Sequence, residues 1–212
     1  MEKILVLKIV VIIIFAGSLG SIITASDVYD DVQIKIVETL CLSCVKLKPI
    51  LKGEYRFLDE EQHPEFILEN LSKGPILLDF TQTYCPGCID LEENVLSVVF
   101  NYTYPASDLF YIQREFNETN FNYIHINKDV VSRKSGYYKS FQIYDIVGDG
   151  GLPMIIFITY GYNHGIIEPM YLTLKTVGSG NYISDKKNIQ IEVIDFINEA
   201  VDLYNQYKEA AE

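Results

Sequence analysis

Four cysteines are all the thiols in this 212-residue chain, and they fall into two pairs of one spacing, Cys41-Leu-Ser-Cys44 and Cys85-Pro-Gly-Cys88. Two intervening residues let a pair close a disulfide, hold a metal ion or exchange electrons, so the spacing alone leaves the chemistry open. The second pair comes with more. An apolar run, residues 75–80 (PILLDF), precedes it and carries Asp79, an acid six residues ahead of Cys85. Further on, the glycine-rich stretch 148–153 (GDGGLP) ends on Leu152-Pro153 and opens at once into the apolar run 154–160. The three histidines, His63, His125 and His164, have no ligand spacing to one another and read as surface or core residues rather than metal ligands. These residues lead us to expect no metal and no cofactor.

Such groups need elements that position them. Residues 32–37 (VQIKIV) alternate apolar and polar, as a half-buried strand does. The run 75–80 is continuously apolar apart from its acid, as in a central strand covered on both faces. Between them, Pro64 suits the first turn of a helix that carries Phe66, Ile67 and Leu71 and ends at Lys73-Gly74. The helix after Cys85 shows Ile89, Val95, Leu96 and Val99, with Asp90, Glu92 and Glu93 between them. Residues 101–120 have a weak pattern and predict an insertion with a helical turn at most. A strand follows over 121–126, then a helix over 131–144. Residues 154–160 predict a strand that pairs with 170–177 as a hairpin. Residues 189–207 repeat apolar positions at Ile191, Ile194, Ile197, Val201 and Tyr204, an amphipathic closing helix. The order predicts parallel βαβ units followed by an antiparallel hairpin, an α/β fold with a central mixed sheet and helices on both faces.

Over roughly residues 55–205 this order and these motifs resemble the thioredoxin superfamily. Its CxxC at a helix start after a strand is matched by Cys85 and Cys88, its buried acid by Asp79, and its X-Pro before a strand by Leu152-Pro153. Gly178 matches the glycine that ends its last strand. The stretch CPGCIDLEENVLS is most similar to exported thioredoxin-like domains of the DsbD C-terminal type, with Tyr84 standing where tryptophan is usual. The resemblance implies a thioredoxin-like three-layer sandwich and a thiol–disulfide oxidoreductase. In it Cys85 caps a helix whose dipole favours the thiolate. Cys88, one turn in, resolves the mixed disulfide, and Asp79 takes its proton. Pro153 would be cis, Leu152 would offer its backbone to an extended substrate, and Tyr84 and Pro86 would wall the cysteines. No charged residue or histidine lies between Cys85 and Cys88, which argues for reduction or isomerisation rather than strong oxidation.

The N-terminus stands apart. Residues 9–26 carry no charge over eighteen positions, with Lys3 and Lys8 before them and Asp27, Asp30 and Asp31 after. That length suits a membrane-spanning helix, and the charge asymmetry puts everything downstream outside the cytoplasm. A cleaved signal peptide ending near Thr24-Ala25-Ser26 is the alternative, giving a secreted protein. The expected division is therefore 1–26 as anchor or signal, 27–54 as an extension with a strand and the first cysteine pair, and 55–212 as the thioredoxin-like domain. A net charge of −12 argues against nucleic acid as a partner. The partners expected instead are exported protein thiols and disulfides, the membrane through the N-terminal helix, and a membrane electron-transfer protein.

Cys41 and Cys44 admit three readings. They relay electrons to or from Cys85 and Cys88, they form a structural disulfide beside the anchor, or all four cysteines hold one Zn²⁺. The last uses an unusually long spacing and would quench Cys85. Two rival functions stay open as well. One is a thioredoxin-like chaperone holding Cu(I) or Zn²⁺ through thiolates; the other is a redox-inert scaffold.

Overall fold

A computed structural model describes residues 46–49, 55–59, 62–104, 108–146, 148, 150–177 and 186–211. Residues 1–26, the strand expected over 32–37, Cys41, Cys44 and Gly178 lie outside the described residues. Among the described residues, no helix is long and apolar enough to cross a membrane.

The chain of the unit Val45–Glu212 runs β1 (Lys46–Pro49), β2 (Arg56–Phe57), α1 (Glu65–Leu71), β3 (Ile76–Thr81) and α2 (Pro86–Leu91). A π-helical turn (Glu92–Leu96) joins α2 to α3 (Ser97–Phe100). Then come β4 (Leu109–Phe116), β5 (Thr119–Asn127), α4 (Gly136–Tyr144), β6 (Met154–Asn163), β7 (Ile166–Val177) and α5 (Lys186–Ala211). The strands form one mixed sheet in the order β1-β7-β6-β3-β5-β4, with β2 also paired to β7. Among the described residues only the β3–β5 pairing is parallel; β3 pairs antiparallel with β6, and β4 with β5. The fold is α/β.

All six residues of β3 are buried, because the strand has neighbours on both edges and helices on both faces. Alternate side chains of a strand point to opposite faces, and β3 divides its core accordingly. Leu77 joins Leu91, Val95, Leu96 and Phe100 from the α2–α3 segment, with Ile189, Val193 and Ile197 of α5. Ile76, Leu78 and Phe80 join Ile67 and Leu71 of α1 with Phe141 and Tyr144 of α4. The far end of α5 reaches this second cluster through Tyr204.

The segment 101–120 corrects the sequence reading. It contains no helical turn among its described residues but an eight-residue strand, β4, paired along its whole length with β5. Its exposure alternates strictly, half-buried Phe110, Ile112, Arg114 and Phe116 against exposed Leu109, Tyr111, Gln113 and Glu115. Apolar Leu109 and Tyr111 sit on the exposed side, which blurs the period-2 signal. The helix expected over 131–144 starts later, at Gly136, where Ser135 caps it by accepting the Tyr138 N–H. The hairpin is longer than expected, with both strands extended toward the turn at His164 and Gly165.

Gly74 shows how tightly β3 is fed into the sheet. A Cβ built on it would stand 1.8 Å from the Asn120 carbonyl oxygen, a backbone atom that cannot rotate away. Gly74→Ala is therefore expected to lower unfolding free energy by at least about 2 kcal/mol. Denaturant midpoints of the two chains check this, and equal midpoints would contradict it.

Candidate active site

Cys85 and Cys88 are disulfide-bonded. Cys85 is the N-cap of α2: its backbone is extended, Pro86 occupies the first turn, and its Sγ accepts the Cys88 N–H at 3.2 Å. A sulfur in that position meets the free N–H groups and positive dipole end of the helix, which continues without a break to Phe100. Exposure separates the two sulfurs' residues. Cys85 is half-buried, whereas Cys88 is 1% exposed. The loop that presents Cys85 is pinned from β5. The Thr83 N–H donates to Asp129 Oδ2 at 3.2 Å, and Asn127 Nδ2 donates to the Thr83 hydroxyl at 3.3 Å. Tyr84 takes a left-handed conformation, φ 61°, and is 92% exposed. It stands out beside Cys85 rather than packing against the fold.

The Leu152-Pro153 bond is cis, and Pro153 is buried at the start of β6. A Cβ built on Gly87, between the two cysteines, would stand 3.3 Å from Pro153 Cδ. The proline thus stands against Gly87, one of the two residues between the cysteines. Asp145 holds the loop that leads to this proline. It accepts the Gly150 N–H at 2.8 Å through one oxygen and pairs with Lys175 at 2.9 Å through the other.

Below the helix lies a polar cluster. Asp79 shares its face of β3 with Leu77, and parallel pairing sets it opposite His125 of β5, with Tyr123 two residues earlier on the same face. The Tyr123 hydroxyl and the His125 Nδ1–H both donate to Asp79 Oδ2, each at 3.0 Å. Asp79 Oδ1 is buried and has no hydrogen-bond partner. Glu92 reaches the same point from above. It lies four residues after Cys88, hence on the same helix face, at the start of the π turn, and its Oε2 is 3.6 Å from His125 Nδ1. Phe110 of β4 stacks on the imidazole with centroids 4.8 Å apart. Asp79, Glu92 and His125 are all buried.

The electrostatics follow from that burial. Loss of water pushes the Glu92 carboxyl up to about 8, with repulsion from Asp79 and Asp108 adding to the effect and His125 opposing it. Burial works against charge on His125 too. There the hydrogen bond and charge of Asp79, with Glu92 and Asp108, outweigh it and hold the imidazole above its usual value. Burial also raises Tyr123 well above the ordinary phenol range, so its hydroxyl is a donor at any physiological pH.

Comparison with protein-family models, curated proteins and solved structures finds no match for the chain. The reading of the site rests on its own geometry. That geometry brings together Cys85, Cys88, Gly87 and Pro153, and sets Asp79 in the core under the helix. Cys41 and Cys44 lie outside the described residues. Glu92 and His125 are the site residues that sequence reasoning passed over. One signal for Glu92 was available: an acid four residues past Cys88 shares its helical face. For His125 there was none, because its role depends on the β3–β5 register.

A second buried histidine sits on the other face. His63 Nδ1 is 2.8 Å from the Tyr144 hydroxyl, and burial holds its pKa below the ordinary 6.5, against the Leu58 backbone and Glu168. As pH falls through 6.5 the unfolded chain protonates His63 while the folded chain still resists. The unfolded state then binds more protons, so stability falls as pH drops through that window. Between pH 7 and 5.5 the thermal midpoint of the native chain is expected to fall more steeply than that of His63→Gln. Parallel slopes would remove His63 from the account.

Proposed function

We propose that this chain is an extracytoplasmic thiol–disulfide oxidoreductase with a thioredoxin-like three-layer fold, anchored in the membrane by residues 1–26. Its substrates are disulfides of exported proteins, which it reduces or isomerises. The observation that carries the reading is the pairing of unequal thiols at one helix start: half-buried Cys85 at the N-cap, buried Cys88 one turn in. An inert staple has no need of that asymmetry, whereas exchange needs one accessible attacking sulfur and one that waits.

In the reducing direction the Cys85 thiolate attacks a sulfur of the substrate disulfide. A Cys85–substrate disulfide forms and the other substrate sulfur leaves as thiolate. Cys88 then gives its proton to Asp79, and its thiolate attacks Cys85 Sγ. The Cys85–Cys88 disulfide forms and the second substrate sulfur leaves, so two electrons have moved from the protein to the substrate. Pro153 and Leu152, beside Gly87, and the exposed ring of Tyr84 provide the wall against which an extended substrate segment lies. A membrane partner would return the electrons.

The test is the equilibrium of the full chain with glutathione buffers, read by alkylation of Cys85 and Cys88. Redox-active pairs have potentials of about −120 to −270 mV, and structural disulfides fall below about −300 mV. A value in the first range supports exchange. A value below the second would make the pair a structural staple and end the proposal.

A further inference from the structure

Asp79, Glu92 and His125 have a second use that depends neither on the cysteines nor on the exchange proposed above. One oxygen from each carboxylate and one ring nitrogen all lie within 4.8 Å of one another. His125 Nδ1 is 3.0 Å from Asp79 Oδ2 and 3.6 Å from Glu92 Oε2. Zn–N and Zn–O bonds of about 2.0–2.2 Å at tetrahedral angles set neighbouring ligand atoms roughly 3.3–3.6 Å apart. Two sides of the triangle are already close to the spacing of an occupied site.

A separate observation points the same way. Asp79 is completely buried, yet its Oδ1 meets no donor. A buried carboxylate oxygen left without a partner is unfavourable, and a cation seated on Asp79 would satisfy it. Charge agrees as well. An ion that displaces the protons of Glu92 and His125 would meet two carboxylates and a neutral imidazole, with Asp108 adding to the negative field. Around the trio, the Tyr123 hydroxyl donates to Asp79, the Thr81 hydroxyl lies 3.4 Å from His125 Nε2, and the Tyr102 hydroxyl stands 3.4 Å from that of Tyr123. Thr81 is placed to accept the ring's other proton, which leaves Nδ1 for the ion, the usual way an outer partner fixes a ligating imidazole.

We propose that Asp79, Glu92 and His125 bind one divalent transition-metal cation, buried beneath the helix that begins at Cys85. A nitrogen and two carboxylate oxygens suit Zn²⁺, Mn²⁺ or Fe²⁺ and do not suit Cu(I), which prefers sulfur. The site therefore differs from a thiolate-based metal chaperone in both its ligands and its ion. It also competes with exchange, because an ion on Asp79 occupies the group that takes the Cys88 proton.

The experiment uses Zn²⁺ and the oxidised full chain, stripped with a chelator and with any remaining thiols blocked by N-ethylmaleimide, so that sulfur cannot contribute. Competition with a chromophoric chelator is expected to show one equivalent of Zn²⁺. The affinity should fall at least tenfold in His125→Gln and again, independently, in Glu92→Gln. Co²⁺ in place of Zn²⁺ should give visible ligand-field bands without sulfur charge transfer. Glu92→Gln keeps the size of the side chain while replacing its carboxylate by an amide, and keeps the test valid if His125→Gln does not fold. Absence of a stoichiometric ion on the native chain overturns the proposal and leaves the trio a proton store. Binding that survives both substitutions overturns it too. Because the cysteines are oxidised throughout, a failure of exchange has no bearing on this result, and loss of zinc binding leaves the redox reading untouched.

Discussion

A full-length Cys88→Ser chain is expected to accumulate mixed disulfides with substrate through Cys85, and a Cys85→Ser chain to accumulate none. Turnover should fall to background in both. The reason is the difference between the two positions. Cys85 is half-exposed at the N-cap, where its sulfur accepts the Cys88 N–H and faces the free donors of the helix start. Cys88 is 1% exposed and cannot meet a protein disulfide without unfolding its helix. Alkylation gives a second readout: with the pair reduced at neutral pH, iodoacetamide should modify Cys85 much faster than Cys88. Equal alkylation rates, or adducts trapped on Cys88, would reverse the assignment.

How far the sequence could lead depended on what each residue had to do alone. β3 was legible because a strand buried on both faces shows as an apolar run, PILLDF, broken here by Asp79 alone, whatever its neighbours. The helix after Cys85 was legible for a similar reason, since Pro86 and the apolar spacing that follows are local signals. β4 was not. As an edge strand it exposes every second residue, and Leu109 and Tyr111 occupy two of those positions. Their hydrophobicity hides the alternation, and only pairing with β5 defines the strand.

The candidate site divides along the same line. Cys85, Cys88 and Pro153 are marked by residue types with few other uses in such positions. His125 looks ordinary in the sequence: it becomes a partner of Asp79 only because parallel register sets the two opposite each other. Glu92 sits among Asp90 and Glu93 in what reads as a solvated helix face. Helix geometry selects among them, since Glu92 alone is four residues from Cys88, and the π turn that begins there carries it toward the sheet. Asp90 instead pairs with Lys186 at 3.3 Å, on the flank facing α5. Acidic residues of equal appearance in sequence thus acquire different surroundings from a shift of one or two positions around the helix.

Replacing Asp79 with Asn should separate the two halves of exchange. The amide keeps an acceptor oxygen for the Tyr123 and His125 donors, so the cluster's shape is retained. It cannot take a proton. Attack by Cys85 is independent of Asp79 and should proceed at nearly the native rate. Release requires Cys88 to lose its proton in a site that excludes water, and there the expected slowing is about 100-fold, the lower end of what a positioned base supplies. The substitution also removes a charge from a position with no solvent exposure, so the unfolding midpoint should equal or exceed that of the native chain. Rapid-quench trapping in chelator-treated protein measures the two steps separately, free of any bound ion. A native release rate would confine Asp79 to a structural role under the helix. Attack and release slowed equally would mean that the acid supports the Cys85 thiolate instead, through the field below α2 rather than through a proton.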